Sequence, residues 1–271
     1  MNKISQTVPM QYDTIFSPFK ADEFDHALSF LEEKGFSGVE LAVAYPKKVN
    51  TSELNKKLNA HNLAATTLST GQIYGLEGLF LSSFDDNVRK NTIDIVKGHI
   101  ELSAEIGLPV VTIGLLRGKL EQGEISDLLD NFKRGLMPCV EYAFKLGVKL
   151  QVEPINKQET VLINSVKQCL DFLRELGDPE NVGILYDAYH SDLEDGDMLA
   201  AIKAAAGRIF NVHLADSHRG LPGYGDIDFP AMYKAIQATG YTGAYALETL
   251  VIPSVEFVNE HCYQSVVDIM K

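Results

Sequence analysis

The sequence is poor in cysteine and lacks any long apolar run. Its three cysteines, Cys139, Cys169 and Cys262, are widely spaced and odd in number among 271 residues. We therefore expect reduced thiols packed in the interior, and neither a disulfide framework nor a zinc cluster. No run approaches the ~20 apolar residues of a membrane span. Residues 1–11 also lack the basic flank and apolar stretch of an export signal, so the sequence predicts a cytoplasmic protein with no membrane partner.

Basic residues are also scarce, because 24 lysines and arginines stand against 37 aspartates and glutamates. The formal net charge of −13 repels phosphate backbones at long range, which argues against a nucleic-acid partner. The chain has no GxGxxG or P-loop segment, the usual motifs of nucleotide-binding open sheets. The expected partner is a small molecule, and the composition leaves a homo-oligomer open.

A repeated pattern is present instead, in which a helix-like stretch ends in Gly and a short apolar, β-rich run follows. Runs such as VVTIGL (110–115) and VGILYD (182–187) are apolar along most of their length, as in parallel strands covered on both faces. Eight strands are predicted, near 4–8, 38–43, 64–69, 110–115, 149–153, 182–187, 209–214 and 243–248. Eight helices are predicted, near 22–34, 51–61, 86–106, 124–146, 163–176, 195–206, 228–239 and 254–270. Eight βα units in this length favour one (β/α)₈ TIM barrel over residues 1–271, and an open doubly wound sheet is the alternative.

Charged side chains end four consecutive predicted strands. Glu153 ends the fifth, Asp187 the sixth, His213 the seventh and Glu248 the eighth. Taken singly, such residues are often helix caps or surface groups. Four at the same end of one barrel would converge, and a charge after an apolar run is costly unless it is paired or bound to a metal. Three carboxylates and an imidazole predict a site for one divalent metal ion, with Mn²⁺ preferred and Co²⁺, Mg²⁺ or Zn²⁺ as alternatives.

Three further polar residues lie on the loops that leave these strands. Glu159 comes six residues after Glu153, His190 three after Asp187, and Arg219 six after His213. We expect them to surround the metal. The remaining histidines His26, His61, His99 and His261 are predicted to lie on the surface of helices, and His218 is left undecided.

Several segments carry a resemblance to a known family. EPINKQET (153–160), DAYH (187–190), HLADSHRGLPGYGDIDF (213–229) and the strand-final Glu248 resemble the xylose-isomerase-like barrel superfamily. Within it they are similar to the ketose 3-epimerase group, typified by D-tagatose 3-epimerase. STGQIYGLEGLFLSS (69–83) and TIGLLRGK (112–119) resemble more narrowly the 5-keto-L-gluconate epimerases. The likeness spans nearly the whole chain and implies an isomerase that epimerises a keto-sugar or keto-sugar acid.

The resemblance also implies roles for individual residues. Glu153, Asp187, His213 and Glu248 match the metal ligands of the group, and Glu153 and Glu248 match its two acid/base residues. Glu159, His190 and Arg219 match residues around the carbonyl end of the substrate. At Lys157 the group more often has Arg, so the charge is kept but the planar fork of donors is absent.

The implied reaction moves a proton from one face of a carbon to the other, with one glutamate on each face. A keto-sugar acid would need a cation for its carboxylate, and Arg117 is the candidate, with an exposed loop arginine as the alternative. An aldose–ketose isomerase such as hydroxypyruvate isomerase would use the same residues. An endonuclease IV type of DNA repair enzyme would need histidines after strands 3 and 4, where the sequence has Ser69, Thr70 and Gly114. A non-enzymatic sugar-binding protein would not need paired glutamates.

Overall fold

A computed structural model describes residues 2–119 and 123–271. Eight parallel strands form its centre and close into a barrel in chain order, with β8 paired to β1. The closed barrel is confirmed and the open sheet is wrong. The strands are β1 Ile4–Pro9, β2 Gly38–Ala42, β3 Ala64–Ser69, β4 Val110–Ile113, β5 Leu150–Val152, β6 Val182–Asp187, β7 Ile209–Leu214 and β8 Ala244–Leu247.

Ten α-helices lie in the described part of the chain, and eight of them match the predicted helices within a few residues. The sequence does not predict α3 and α7, which are short helices in the loops after β3 and β6. The helices are α1 Phe24–Lys34, α2 Thr51–Ala60, α3 Gln72–Glu77, α4 Asp86–Glu105, α5 Ile125–Lys145, α6 Val166–Glu175, α7 Ala188–Glu194, α8 Met198–Ala204, α9 Phe229–Ala238 and α10 Val255–Ile269.

Local chemistry explains where these helices begin and end. The Ser165 side chain accepts from the Gln168 backbone N–H at the start of α6, and the Gln168 side chain accepts in return from the Ser165 N–H. Helix α1 ends at Gly35, whose φ of 97° lies in the left-handed region and whose N–H returns to the carbonyl of Leu31. Strand β2 begins three residues later, which is the helix–Gly–strand pattern of the sequence.

The strands are buried on both faces, but the two faces differ in chemistry. Apolar side chains such as Val39, Leu41 and Val212 pack between the strands and the helices. Inside the barrel, Glu40 of β2 contacts His213 of β7, although these strands are not neighbours in the sheet. The interior therefore holds a buried polar network beneath the mouth of the barrel.

The structure confirms one expectation about the interior and contradicts another. All three cysteines are free and buried, as expected. The prediction that His99 lies on the surface is wrong: it is fully buried on α4, with Nε2 2.8 Å from the carbonyl oxygen of Val43, at the end of β2. A helix that packs against the barrel has one buried face, and His99 lies on that face. Among the described residues, no helix combines the length and apolarity needed to cross a membrane.

Candidate active site

Four side chains from four consecutive strands meet at the mouth of the barrel. Glu153 and Glu248 directly follow β5 and β8, Asp187 is the last residue of β6, and His213 lies near the end of β7. One ligand atom from each of them lies within 4.8 Å of every other, a grouping that could hold a metal ion. The barrel brings together all four residues predicted from the strand ends.

The histidine of this cluster has an unpaired nitrogen. His213 Nδ1 is buried and makes no hydrogen bond. It lies 3.4 Å from Glu248 Oε2, 3.6 Å from Asp187 Oδ2 and 3.8 Å from Glu153 Oε1, beyond good hydrogen-bond range. A buried nitrogen without a hydrogen-bond partner, facing three carboxylates, is a costly arrangement unless a cation lies between them. Oxygen and imidazole donors in this number suit Mn²⁺, Mg²⁺, Co²⁺ or Zn²⁺, so the residues fit a divalent ion.

The protonation of the cluster is strongly perturbed. Burial raises the pKa of Glu153 well above its ordinary value, and the charge of Glu248 adds to the rise. Burial lowers the pKa of His213, but the charges of Glu40 and Glu248 outweigh it and raise that pKa well above its ordinary value. Without an ion, a proton on Glu153 therefore removes one negative charge from the cluster, and a proton on His213 adds a positive charge. A divalent ion would take the place of such protons.

A second group of residues lies beside this cluster on the loops after β5 and β6. The Asn156 amide nitrogen lies 3.0 Å from Glu159 Oε1 and 3.0 Å from His190 Nδ1, so one side chain donates to both. Because Nδ1 accepts, the neutral imidazole of His190 carries its proton on Nε2. Burial lowers the pKa of His190 and favours this neutral form, although the charge of Asp187 opposes the shift. His190 lines the cavity described below and can donate to a ligand oxygen there.

Arg219 completes this second group from the loop after β7. Its Nη1 donates to Glu159 Oε1 at 2.6 Å, and Nη2 lies 4.0 Å from Glu248 Oε2. The guanidinium carbon lies 4.2 Å from the ring centre of Phe16 and 5.0 Å from that of Tyr189. Two aromatic rings and a carboxylate therefore fix the direction of this cation.

The loop that carries Arg219 is organised by one carboxylate. Asp216 is fully buried, and its two oxygens accept five backbone N–H groups at 2.8–3.2 Å. This arrangement holds a glycine-rich segment in one conformation, in which Arg219 has a φ of 63°. The five N–H groups belong to Ser217, Gly223, Tyr224, Gly225 and Ile227.

Both groups open onto one cavity of about 200 Å³ at the carboxyl ends of the strands. Glu153, Glu248, Glu159, His190 and Arg219 line one side of it. The rest of the lining is uncharged and comes mainly from β1–β4 and the loops after β1, β3 and β4. It includes the ring of Phe16 and hydrogen-bonding groups of Ser69, Thr70 and Gln72.

Arg117 and Lys157 do not line this cavity. Arg117 is fully buried, so the alternative of an exposed loop arginine is wrong; its Nη1 donates to the backbone oxygen of Glu153. Burial lowers its pKa to about 10, which leaves it a cation at neutral pH. Lys157 extends outward and pairs with Glu194 at 2.8 Å. Neither cation is placed to meet a ligand in the cavity.

Two residues of the site are absent from the sequence-based prediction. Glu40 is fully buried in the middle of β2 and lies 2.9 Å from His213 Nε2. The charged residue within the apolar run GVELA (38–42) could have indicated this group, but the prediction considers only residues at the ends of strands. Asn156 lies inside the EPINKQET segment, where a neutral amide gives no signal of its own.

Comparison with known proteins identifies the family of this chain. Residues 28–260 match the family described as xylose isomerase-like TIM barrel. Ketose 3-epimerase from Arthrobacter globiformis is 30% identical over 85% of this chain and 79% of its own length. 3-Dehydro-D-guloside 4-epimerase from Escherichia coli is 25% identical over 81% of this chain and 84% of its own length. A solved structure of L-ribulose 3-epimerase has a TM-score of 0.80 at 27% identity, covering 98% of this chain and 86% of that one. The chain therefore belongs to the xylose isomerase-like TIM barrel family and is an isomerase of the epimerase type.

Proposed function

We propose that the protein binds one divalent metal ion, preferably Mn²⁺, and epimerises a keto-sugar. Two glutamates carry out the proton transfer to and from the sugar. Glu153, Asp187, His213 and Glu248 would hold the ion. The observation that carries the proposal is the buried, unpaired Nδ1 of His213, which faces the three carboxylates. The relatives, which are named as ketose and keto-glycoside epimerases, support the reaction class.

The two glutamates supply the proton chemistry. A bound divalent ion would act as a Lewis acid and make the hydrogen on the carbon next to the substrate carbonyl more acidic. Glu153 follows β5 and Glu248 follows β8, so the two carboxylates approach the cavity from different sides of the barrel. One of them removes the proton from one face of this carbon, and the other returns a proton to the opposite face.

The neighbouring polar groups act on the oxygen of the carbonyl. Negative charge develops there when the adjacent proton leaves. His190 offers its Nε2–H from the cavity wall, and Arg219 offers a cation that Phe16 and Glu159 hold in place. Donors that are fixed before the reaction stabilise such charge without reorganising. Phe16 also lines the cavity and would help to keep water from the reacting carbon.

The lining favours an uncharged keto-sugar over a keto-sugar acid. In the described part of the chain, Arg219 is the one lysine or arginine that lines the cavity, and it is already paired with Glu159. The uncharged part of the lining offers hydroxyl and amide groups from Ser69, Thr70 and Gln72, which suit sugar hydroxyls. Arg117, the sequence-based candidate for a carboxylate, is enclosed beneath the Glu153 segment.

A substrate screen in deuterated water tests the proposal. The Mn²⁺-loaded protein is incubated with uncharged ketoses, keto-glycosides and matched keto-sugar acids, and mass spectrometry and NMR report which carbon gains deuterium. We expect exchange at the carbon next to the carbonyl, with the epimer formed and uncharged substrates turned over fastest. Formation of an aldose would instead indicate an aldose–ketose isomerase. Turnover restricted to keto-sugar acids would reject the proposed substrate class, and no exchange with any compound would reject the function.

A further inference from the structure

Glu40 is a carboxylate buried where the proposed reaction does not use it. It has no exposed surface, lies on β2, and does not line the cavity. Enclosing an ionised carboxylate costs several kcal/mol unless hydrogen bonds and opposite charge compensate. A residue of this kind in the middle of an apolar strand needs a specific explanation.

The contacts of Glu40 supply that compensation from three other strands. Its Oε1 accepts from the Thr7 hydroxyl of β1 at 3.1 Å, and its Oε2 accepts from the Thr67 hydroxyl of β3. The same Oε2 lies 2.9 Å from His213 Nε2 across the barrel. Two hydroxyls thus fix a carboxylate that faces one nitrogen of the imidazole.

This contact decides which nitrogen of His213 is available to a metal ion. An imidazole that donates Nε2–H to a carboxylate presents the lone pair of Nδ1. Nδ1 is the nitrogen that faces Glu153, Asp187 and Glu248. Carboxylates that orient metal-bound histidines in this way also make the imidazole a stronger donor.

We infer that Glu40 is a positioning residue for the metal site: held by Thr7 and Thr67, it fixes the orientation and proton position of His213 and thereby raises metal affinity. The inference rests on the metal binding in the proposed function. It assigns a role in that function to the β1–β3 side of the barrel. An alternative is that Glu40 only ties β1, β2 and β3 together, in which case its loss would lower stability and leave metal affinity unchanged.

Titration calorimetry of metal-free protein with Mn²⁺ separates these roles without measuring activity. Glu40→Gln keeps the size and one acceptor oxygen but removes the charge. We expect its Mn²⁺ dissociation constant to rise about 10- to 100-fold, the usual scale for the loss of such a partner. His99→Gln is the matched control, because His99 is equally buried, contacts β2 through Val43, and lies outside the cluster. This control should lose stability and keep its Mn²⁺ affinity within about twofold.

Thr67→Val provides a second, milder test, since it removes one hydroxyl with little change in volume. We expect a smaller rise in the dissociation constant than for Glu40→Gln, with the fold checked by circular dichroism. Should Glu40→Gln fail to fold, wild-type Mn²⁺ affinity in a folded Thr67→Val protein would overturn the inference. Wild-type affinity in a folded Glu40→Gln protein would overturn it directly. If the unmodified protein binds no Mn²⁺, Mg²⁺, Co²⁺ or Zn²⁺, the proposed function fails first, so the two failures are distinguishable.

Discussion

The two halves of the barrel contribute different kinds of side chain to one cavity. The half from β5 to β8 carries Glu153, Asp187, His213 and Glu248, the charged groups that meet at the mouth. The half from β1 to β4 lines the cavity with uncharged groups and places the buried carboxylate of Glu40 next to His213. In the proposed function, proton transfer and metal binding belong to the β5–β8 half. The other half shapes the ligand space and supports the first.

Loss of the metal should have the largest effect, because the four charged residues of the β5–β8 half are the proposed ligands of the ion. We expect a chelator to abolish epimerisation, and Mn²⁺ or Co²⁺ to restore it. The melting temperature should fall on metal removal, since a ligand that binds only the folded state stabilises it. Asp187→Asn should bind Mn²⁺ more weakly, while Asp171→Asn, on the exposed face of α6, serves as the control. Full activity in metal-stripped protein would contradict the division of roles between the halves.

Asn156→Leu tests how the charged half holds Glu159 and His190 in position. The substitution keeps the approximate size but removes the amide that donates to both Glu159 and His190. We expect kcat to fall about tenfold or more, on the scale of 1–1.5 kcal/mol for each lost hydrogen bond. Mn²⁺ affinity should be unchanged, because Asn156 contacts none of the four proposed ligands. An unchanged kcat would show that Asn156 does not hold these two groups in their reactive positions.

Gly114→Ala should show that the β1–β4 half also limits the position of the Glu153 carboxylate. A Cβ at Gly114 would lie 2.8 Å from Glu153 Oε2, too close for both atoms to keep their positions. We expect kcat/KM to fall about tenfold, because small displacements of a reacting group are costly. The matched control is Gly75→Ala, where a Cβ would meet no atom within 4 Å. Equal activity in the two variants would contradict the proposed contact.

His99→Leu should have the smallest effect on activity, because His99 lies outside the site. It removes the ring nitrogen next to the Val43 carbonyl and leaves that buried oxygen without this partner. We expect a loss of about 1–3 kcal/mol in the free energy of unfolding, measured by urea denaturation. Values of kcat and KM should remain near those of the unmodified protein. A large loss of kcat in a folded His99→Leu protein would mean that α4 is coupled to the site.

The same contrast explains how much of the molecule the sequence predicts. The strands were predictable because parallel strands covered on both faces are apolar runs, and the charged cluster because Glu153, Asp187, His213 and Glu248 interrupt the ends of such runs. This rule does not find Glu40, because Glu40 lies within a strand and its partner His213 is 173 residues away. The burial of His99 and Arg117 was not predicted for a related reason. Whether a polar side chain on a helix or loop is buried depends on the packing of distant segments, which local patterns do not contain.

The most direct test of the central claim, proton transfer by two glutamates on opposite faces, is deuterium labelling by single-glutamine variants. Glu153→Gln and Glu248→Gln should each lose epimerisation by about 10²–10⁴-fold. The remaining glutamate should still exchange the proton on its own face, so that each variant places deuterium in only one epimer and the two variants label opposite epimers. Because each variant replaces a proposed ligand, both are assayed at saturating Mn²⁺, with metal content measured alongside to establish that the ion is bound. A variant that still inverts the carbon at the unmodified rate, or two variants that label the same epimer, would contradict the account.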